Sequence, residues 1–356
     1  MKKHLILLSA AMLAAVAACN KQPVRQTELQ QQAELEVRIS AGTPTKATTV
    51  SEGDEAAVKK IEILVFNDSG GLDAYKSSDG ASHVVSGISS TTGAKTVVAV
   101  VNAPAGSGVA SVTDLASLRA LTSRFKAANS PDSFVMYGEQ QATLVASSTN
   151  QVSVNVSRLA ARIRIDKVTR AFRTETGGLV SLGAEDFEIV RFFLTNVADD
   201  ANYGTGISAA ANSYWLSDES VLPASAVNID KDELLYSEAV TSAGANKLAQ
   251  SASYNNVHRL YAYPNASSTQ HTKLIVEIKI DGSFYTFPIS FDSLSANNSY
   301  EIRNLTITRL GNSSDGDDVI DPEESTEPIV TTEFDCEIEV LPWTLVLMGD
   351  EGNITI

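Results

Sequence analysis

The chain has 356 residues, a formal net charge of −16 and 20% charged residues. This length allows two domains with separate apolar cores, and the acidic balance argues against nucleic acid or an anionic lipid surface as the main partner. Val, Ile, Thr and Ser recur in short runs, which favours β structure.

The first nineteen residues predict export and a lipid anchor. Residues 1–3 are a short positive segment, residues 5–16 are apolar, and small residues directly precede Cys19. An apolar run this short is typical of a signal peptide and not of a membrane span. A cysteine at this cut site is typical of a bacterial lipobox. We therefore expect the Cys19 thiol to take a diacylglyceryl chain, residues 1–18 to be removed, and the new N-terminus to be acylated, with palmitate as the expected acyl group. The alternative is an ordinary secretory signal with an unrelated cysteine.

A short strand is predicted soon after this signal. Residues 20–33 are polar and Gln-rich, which is typical of a flexible tether. Residues 34–40 alternate strictly and place Leu35, Val37 and Ile39 on one face, which predicts a strand with one buried side. The loop that follows contains Gly and Pro and carries Lys46 and Ala47.

Further strands are predicted along both halves of the chain, with a domain boundary near Ser157. The helical spacing of Leu115, Leu118, Leu121 and Phe125 predicts one helix over residues 111–128. Asp281-Gly282 predicts a two-residue hairpin turn. The predicted strands cover residues 61–66, 96–101, 151–156, 159–165, 187–195, 273–280, 283–291, 300–310 and 334–341.

The C-terminal residues 344–356 alternate as two short strands, with Leu345 and Leu347 in the first and Ile354 and Ile356 in the second. Two interpretations stay open. The tail completes its own domain as a terminal hairpin, or it is a donor strand for a neighbouring subunit.

Sequence motifs for catalysis are missing. The four histidines stand at positions where no other His or Cys has metal-ligand spacing, and neither a phosphate-binding Gly-rich loop nor a Gly-x-Ser-x-Gly elbow occurs. With Cys19 lipidated, Cys336 has no disulfide partner within the chain and is expected to pack as a small buried residue. We expect no enzyme activity, no metal and no cofactor.

The order of several segments resembles the major fimbrial subunits, or fimbrillins, of the type V pili of Bacteroidota. The resemblance begins with the signal, the alternating strand and a basic residue in the following loop. It then continues through the segments GDEAAVKKIEILVFN (53–67), RLAARIRIDKV (158–168), NNSYEIRNLTITRLG (297–311) and EIEVLPWTLV (337–346).

This resemblance implies an all-β fold with minor helix, in which two transthyretin-like β-sandwich domains stand in tandem over residues 47–156 and 157–343. It also implies that a trypsin-like surface protease cuts after Lys46, before Ala47. Residues 19–46 would then leave with the first strand and its side chains Leu35, Val37 and Ile39. Arg38 lies inside that strand and is the poorer cleavage candidate.

The expected function is that of a structural shaft subunit, a non-enzymatic protein that supports adhesion and biofilm. Its partners would be other copies of itself, accessory fimbrial subunits, the protease, and the outer membrane through the lipid of the precursor, with no nucleic acid. The mature protein would lie in an extracellular fimbria. Two alternatives are an anchor or accessory subunit that stays lipidated, and a glycan-binding surface lipoprotein that uses Tyr203, Tyr214 and Trp215.

Overall fold

A computed structural model describes most of the chain. The described residues are 31–41, 55, 57–79, 83–130, 132–146, 148–198, 200–204, 214–215, 237–240, 244–265, 267, 271–316, 335–336, 339–342 and 353–355. Strands predominate among them and the helices are short, which confirms the predicted all-β class with minor helix.

The first half of the chain consists mainly of strands. Its elements are β1 (Gln32–Ala41), β2 (Lys60–Asn67), β3 (Leu72–Asp79), β4 (Val84–Thr91), β5 (Gly93–Val101), a 3-10 turn (Val109–Ser111), α1 (Leu115–Ala120), β6 (Thr122–Arg124), α2 (Phe125–Ala128), β7 (Met136–Leu144) and β8 (Thr149–Arg158).

Seven of these strands form a sheet that folds over on itself, in the order β3-β2-β5-β7-β8-β1-β4. The fold-over occurs between β7 and β8, which pair only where Met136 and Tyr137 meet Arg158 and Ser157. The layer β8-β1-β4 therefore packs face to face on the layer β3-β2-β5-β7. Apolar side chains from both layers fill the space between them, as in a β-sandwich.

The single helix predicted over residues 111–128 is wrong. After α1, Leu121 leaves the helical region with φ −60° and ψ 140°, and the next three residues form β6, which pairs with Asp200–Asn202. Leu118 and Phe125 are both buried, which explains the helical spacing of apolar residues. Pairing with a distant strand overrides the local preference.

The second half supplies the remaining elements. They are β9 (Ala161–Ile165), β10 (Val168–Arg170), a 3-10 helix (Thr174–Ser181), β11 (Phe187–Thr195), β12 (Val197–Ala198), β13 (Asp200–Asn202), β14 (Tyr214–Trp215), β15 (Ser237–Ala239), β16 (Ser253–Tyr254), β17 (His258–Ala262), β18 (Thr272–Ile280), β19 (Ser283–Phe291), β20 (Asn298–Ile302), β21 (Asn304–Ile307), β22 (Asn312–Ser314), β23 (Asp335–Cys336), β24 (Glu339–Pro342) and β25 (Asn353–Thr355).

Most of these strands form two facing layers, and β12-β14 and β13-β6 are separate two-stranded sheets. One layer is the sheet β15-β11-β18-β19-β22. The other consists of the sheets β17-β9-β20-β24 and β16-β10-β21-β25-β23, which are linked because β9 leads into β10 and β20 leads into β21. The break at Arg303 divides the single strand predicted over residues 300–310. The predicted hairpin β18-β19 is confirmed, with Asp281 and Gly282 at φ 48° and 83°, as its turn type requires.

The two halves share an apolar interface. The outer faces of β2 and β5 place Leu64, Phe66, Val98 and Val100 in the same buried cluster as the core of the second half. The strand β6 also crosses between the halves through its pairing with β13. The domain boundary near Ser157 stays a prediction; β8 ends at Arg158 and the next strand begins at Ala161.

Candidate functional site

The strand β1 is an interior strand of the first sandwich, although it comes from the start of the chain. It runs parallel to β8, with Glu34 to Ala41 opposite Thr149 to Val156. On its other side it runs antiparallel to β4. Removing β1 would therefore open a groove between β4 and β8, and would leave a row of unpaired backbone groups on each of those strands.

The inner face of β1 is buried in the sandwich core. Leu35 and Val37 are 0% exposed and Ile39 is 5% exposed, and all three pack in the cluster formed by both layers. Burying three such side chains contributes about 5–8 kcal/mol, at roughly 1.5–3 kcal/mol each. The predicted one-sided strand is thus present, and it supplies a substantial part of this core.

The outer face of β1 is polar, and its side chains make only exposed contacts of low energy. Arg38 donates to Glu36 from Nε at 3.1 Å and from Nη2 at 3.0 Å, and Gln151 Nε2 donates to Glu36 at 3.3 Å. The Arg38 side chain is 56% exposed, so this ion pair contributes little to stability. The Arg38 backbone is paired on both sides, with Val84 and Ser153, which protects it from a protease while β1 is in place.

The ends of β1 are fixed by further hydrogen bonds. At its start, Asn150 Nδ2 donates to the Glu34 carbonyl at 3.0 Å and the Thr92 amide donates to the Gln31 carbonyl at 2.8 Å. Near its end, the Ile39 amide donates to the His83 carbonyl at 2.8 Å. The strand is therefore held along its whole length, and its register is defined.

A second feature is a buried charge cluster around Glu55, the next described residue after β1. The Glu55 carboxylate accepts from Arg162 Nη1 at 2.7 Å and from the Tyr261 hydroxyl at 2.5 Å, while its carbonyl accepts from Arg158 Nε at 3.1 Å. Burial, and then the charge of Glu55, raise the pKa of Tyr261. The hydroxyl therefore stays protonated and serves as a donor.

Arginines and acids on one sheet surround this cluster. Arg162 also lies 3.4 Å from Glu301, and Arg164 Nε lies 2.7 Å from Asp166. Burial raises the pKa of Asp166, although the charge of Arg164 opposes this effect. The group links β9, β17 and β20 to the chain that follows β1. It is a structural ion-pair network, because each carboxylate faces an arginine.

Aromatic contacts hold the two halves together. Phe125 and Tyr263 meet edge to face with ring centroids 4.9 Å apart, and Phe134 lies 4.9 Å from Tyr261. The Tyr263 hydroxyl also accepts from Asn129 Nδ2 at 2.8 Å and lies 2.8 Å from the Ser123 hydroxyl. Such contacts fix the orientation of packed layers.

Most of the other predicted site residues lie outside the described part of the chain. These are Cys19, Lys46, Ala47, Leu345, Leu347 and Ile356. Ile354 lies in β25, which pairs in parallel with β21 and antiparallel with β23 of the same chain. Part of the tail is thus seated in its own second half, with Ile354 opposite Leu305 on one side and Cys336 on the other.

One of the three aromatic residues proposed for glycan binding, Tyr203, is buried and cannot serve in that role. Tyr203 is 1% exposed because it packs beside Tyr137 across the interface between the two halves, with ring centroids 6.4 Å apart. A buried ring cannot stack on a sugar from solvent. Tyr214 and Trp215 form the short strand β14, which pairs with β12.

Neither a candidate metal cluster nor a candidate membrane-spanning helix occurs among the described residues. No group of three or more His, Cys, Asp or Glu side chains there could hold a metal ion. None of the helices seen in that part of the chain is long and apolar enough to cross a membrane.

Sequence reasoning missed two parts of this arrangement. The strand β4, VVSGISST, buries only Val85 and Ile88 among its apolar residues, so its pattern is too sparse to reveal a strand next to β1. The pairing of Glu55 with Arg162 joins distant segments. A faint signal existed, because both residues lie in segments on which the resemblance to fimbrillins depends, 53–67 and 158–168.

These observations define a class of protein: an all-β chain of face-to-face packed sheets whose first strand is an interior strand of its sandwich. Residues 33–170 match the family described as "Major fimbrial subunit protein (FimA)". The match contains β1 from Ala33 onward, Glu55 and Arg162, and it confirms the resemblance to the major fimbrial subunits. The matched family consists of structural fimbrial subunits, which are not enzymatic in kind.

Solved structures with a similar fold include two proteins described as candidate cell adhesion proteins. One is from Bacteroides eggerthii, with 21% identity, a TM-score of 0.64, and coverage of 88% of this chain and 97% of that one. The other is from Parabacteroides distasonis, with 16% identity, a TM-score of 0.60, and coverage of 88% and 100%.

A fimbrilin from Porphyromonas gingivalis is also similar, with 15% identity, a TM-score of 0.58, and coverage of 78% of this chain and 91% of that one. At these identities the likeness concerns the fold. No curated protein matches the sequence.

Proposed function

We propose that this protein is a shaft subunit of a surface fimbria, exported as a lipoprotein on Cys19 and cut after Lys46. The cut releases β1, and the groove between β4 and β8 accepts a strand from a neighbouring copy. The single observation that carries this proposal is that an N-terminal strand occupies an interior position, with Leu35 and Val37 fully buried. A single cut in the loop after β1 separates this strand from the rest of the chain, so it can leave and be replaced by a strand from outside.

The groove has the properties of a strand-accepting site. Its floor is apolar, because the second layer presents Ile61, Ile63, Val65, Val97 and Ala99 to the same core. Its walls are the backbone groups of β4 and β8, which would no longer be paired. An incoming strand would gain main-chain hydrogen bonds and fill side-chain pockets at alternate positions.

The tail, residues 344–356, is the proposed donor. Its alternating residues Leu345 and Leu347, then Ile354 and Ile356, match the alternation of β1. Fully extended, the thirteen residues span about 43–47 Å. In the free subunit β25 is paired between β21 and β23, so it would have to leave this position before donation.

Repeated head-to-tail donation builds a filament, because the contact does not close on itself. Such a filament would support adhesion and biofilm, with accessory subunits at its ends. The precursor would be held at the outer membrane by its lipid. After the cut, the shaft would be extracellular. The two domains would be residues 47–156 and 157–343.

N-terminal sequencing of sheared filaments tests this function. We expect the sequence to begin at Ala47. A chain that begins at Cys19 would show that the protein keeps its lipid and acts as an anchor. The variant Lys46→Ala should leave export and lipidation unchanged and stop filament growth, whereas the matched variant Lys21→Ala, in the tether, should assemble normally.

A further inference from the structure

The strand β4 depends on β1 for its backbone pairing. Among the described residues β4 pairs with β1 alone, and it is the last strand in the order β3-β2-β5-β7-β8-β1-β4. Its side away from β1 faces β3 without ladder pairing between the two strands in that part of the chain. When β1 leaves, β4 loses its only described strand partner, whereas β8 keeps its pairing with β7.

A bulge in β4 turns backbone carbonyls toward β3. Leu35 is opposite Ile88 and Val37 is opposite Val85, so β4 has one extra residue at this point. Gly87 has φ 66°, the left-handed conformation that such bulges place on glycine. Lys76 Nζ, from β3, donates to the Ser86 carbonyl at 2.8 Å and to the Gly87 carbonyl at 3.0 Å.

A second attachment lies at the end of β4. Asp73, also from β3, accepts from the Ser90 hydroxyl at 2.5 Å, the Thr91 amide at 2.8 Å and the Thr91 hydroxyl at 3.0 Å. Lys95 lies 3.0 Å from Asp73 with only 1% of its side chain exposed, and it donates to the Thr91 hydroxyl at 2.7 Å. A charged carboxylate with several donors makes strong hydrogen bonds.

We propose that Lys76 and Asp73 are positioning residues that hold β4 in place while β1 is absent. None of the bonds described above for these two residues involves β1, so all of them survive its removal. They would keep β4 and β8 about 9–10 Å apart, twice the usual spacing between neighbouring strands, which is the width that an incoming extended segment needs. This inference rests on the proposed strand exchange, and the partner is the apolar tail of a second copy.

The bulge makes this positioning specific. Two carbonyls of β4 accept from Lys76, and these bonds hold the bulge in place at that point. The replacement strand must therefore pair with β4 in the register of β1, in which the one residue between Leu35 and Val37 lies opposite two residues of β4. Lys76 would thus help to select the register as well as to preserve the groove.

The test compares Lys76→Met with wild type, and uses Lys279→Met as a matched control. Lys279 is a strand lysine of the second half that lies over the Phe284 ring. Hydrogen exchange of the Val84–Thr91 amides is measured in the full chain, before and after limited trypsin digestion releases β1. Elongation from sheared wild-type filaments is measured with the same samples.

Before the cut, we expect exchange in β4 of Lys76→Met to be within about threefold of wild type, because β1 still pairs with β4. After the cut, the β4 amides of Lys76→Met should exchange at least tenfold faster than those of wild type, and elongation should fall at least tenfold. Lys279→Met should match wild type in both measurements. Asp73→Asn should act in the same direction, and it should also destabilise the uncut chain because the buried Lys95 loses its ion pair.

The two proposals fail in different ways. Equal β4 exchange and normal elongation by cut Lys76→Met would overturn the positioning role and leave strand exchange intact. Faster β4 exchange in cut Lys76→Met, together with no elongation by wild type, would support the attachment of β4 and overturn the proposed function. If trypsin does not release β1, Val37→Asp expels it by placing a charge in the core, and the same comparison of β4 exchange is made on that background.

Discussion

The Glu55 carboxylate lies 2.7 Å from Arg162 Nη1, although the two residues fall on opposite sides of the predicted domain boundary. Both side chains are buried, with Arg162 at 1% exposure and Glu55 at 9%. Glu55 follows the proposed cleavage site in the chain. A cut after Lys46 would therefore free β1 while the chain behind the cut stays attached to the sheet β17-β9-β20-β24.

We expect Glu55→Ala to destabilise the protein by about 3–5 kcal/mol, because it leaves the buried Arg162 without its nearest carboxylate. Glu301, at 3.4 Å from Arg162, would compensate in part and favour the lower end of this range. Urea unfolding measures the change. Glu185→Ala is the control, since Glu185 is 79% exposed in its pair with Lys247 and should change stability by about 1 kcal/mol or less. Equal effects of the two variants would contradict the structural importance of the Glu55 cluster.

We expect Leu35→Ala to destabilise the uncut chain by about 2–5 kcal/mol, the usual cost of removing a fully buried leucine side chain. The same substitution should leave assembled filaments unchanged, because the proposed cut after Lys46 removes β1 from the subunit. Thermal unfolding of the precursor and of purified filaments measures the two effects. Glu34→Ala, on the exposed face of β1, should change neither. Filaments that melt earlier with Leu35→Ala would mean that β1 stays in the mature protein.

Strands with a dense apolar pattern could be predicted from the sequence. The strands Phe187–Thr195 and Ser283–Phe291 have the predicted bounds, because continuous or alternating apolar residues and the Asp281-Gly282 turn define them locally. The first strand was also predictable with its buried face. The physical reason is that these patterns depend on neighbours within a few residues.

Features that depend on distant partners could not be predicted. The strand β6 replaces part of a predicted helix because it pairs with β13. Arg162 and Lys95 are each 1% exposed, whereas charged residues are normally assigned to the surface. Ion pairs with carboxylates from distant segments accommodate the burial, among them Glu55 for Arg162 and Asp73 for Lys95. The bulge at Gly87 and its contact with Lys76 likewise depend on the tertiary packing of β1, β3 and β4, which lie apart in the sequence.

Acid should weaken the first sandwich through Asp73. Burial alone would raise the pKa of Asp73, but hydrogen bonds from Ser90, the Thr91 amide and Lys95 outweigh it and lower the pKa from 3.8 to about 2. A carboxyl whose pKa is lowered in the folded state stabilises it above the unfolded pKa. This stabilisation is lost as the pH falls from about 4 to about 2.

The free energy of unfolding, measured by urea at several pH values, should therefore decline more steeply over this interval in wild type than in Asp73→Asn. Asp68→Asn, in the exposed turn after β2, should keep the wild-type profile. Parallel profiles for wild type and Asp73→Asn would show that Asp73 does not couple folding to protonation.

Replacing Cys19 by serine should abolish lipidation, because the acyl chain needs the thiol. Metabolic labelling with a fatty acid should give a labelled precursor for wild type and none for Cys19→Ser. Cys336→Ser should keep its label, since Cys336 lies in β23 near the other end of the chain. Unchanged labelling of Cys19→Ser would refute the lipoprotein signal.

Deletion of residues 344–356 tests whether the tail is a donor strand for a neighbouring subunit or a terminal hairpin of its own domain. The strand β25 is flanked by β21 and β23 in the free subunit, so a chain without residues 344–356 loses those pairings and should melt at a lower temperature. It should still fold, because most of the second-half core comes from the layers that contain β9, β11, β18, β19 and β20. If the tail is the donor strand, this folded truncate should be exported and cut normally but should form no fibres under the electron microscope.

A matched substitution keeps the tail at full length. Leu345→Asp with Leu347→Asp charges the proposed donor side chains and changes no residue of β25, so we expect a folded monomer and a loss of fibres. Asn353→Ala is the control and should assemble. Normal fibres from the doubly charged tail would place the donor strand elsewhere, and a truncate that fails to fold would show that residues 344–356 are an integral hairpin of their own domain.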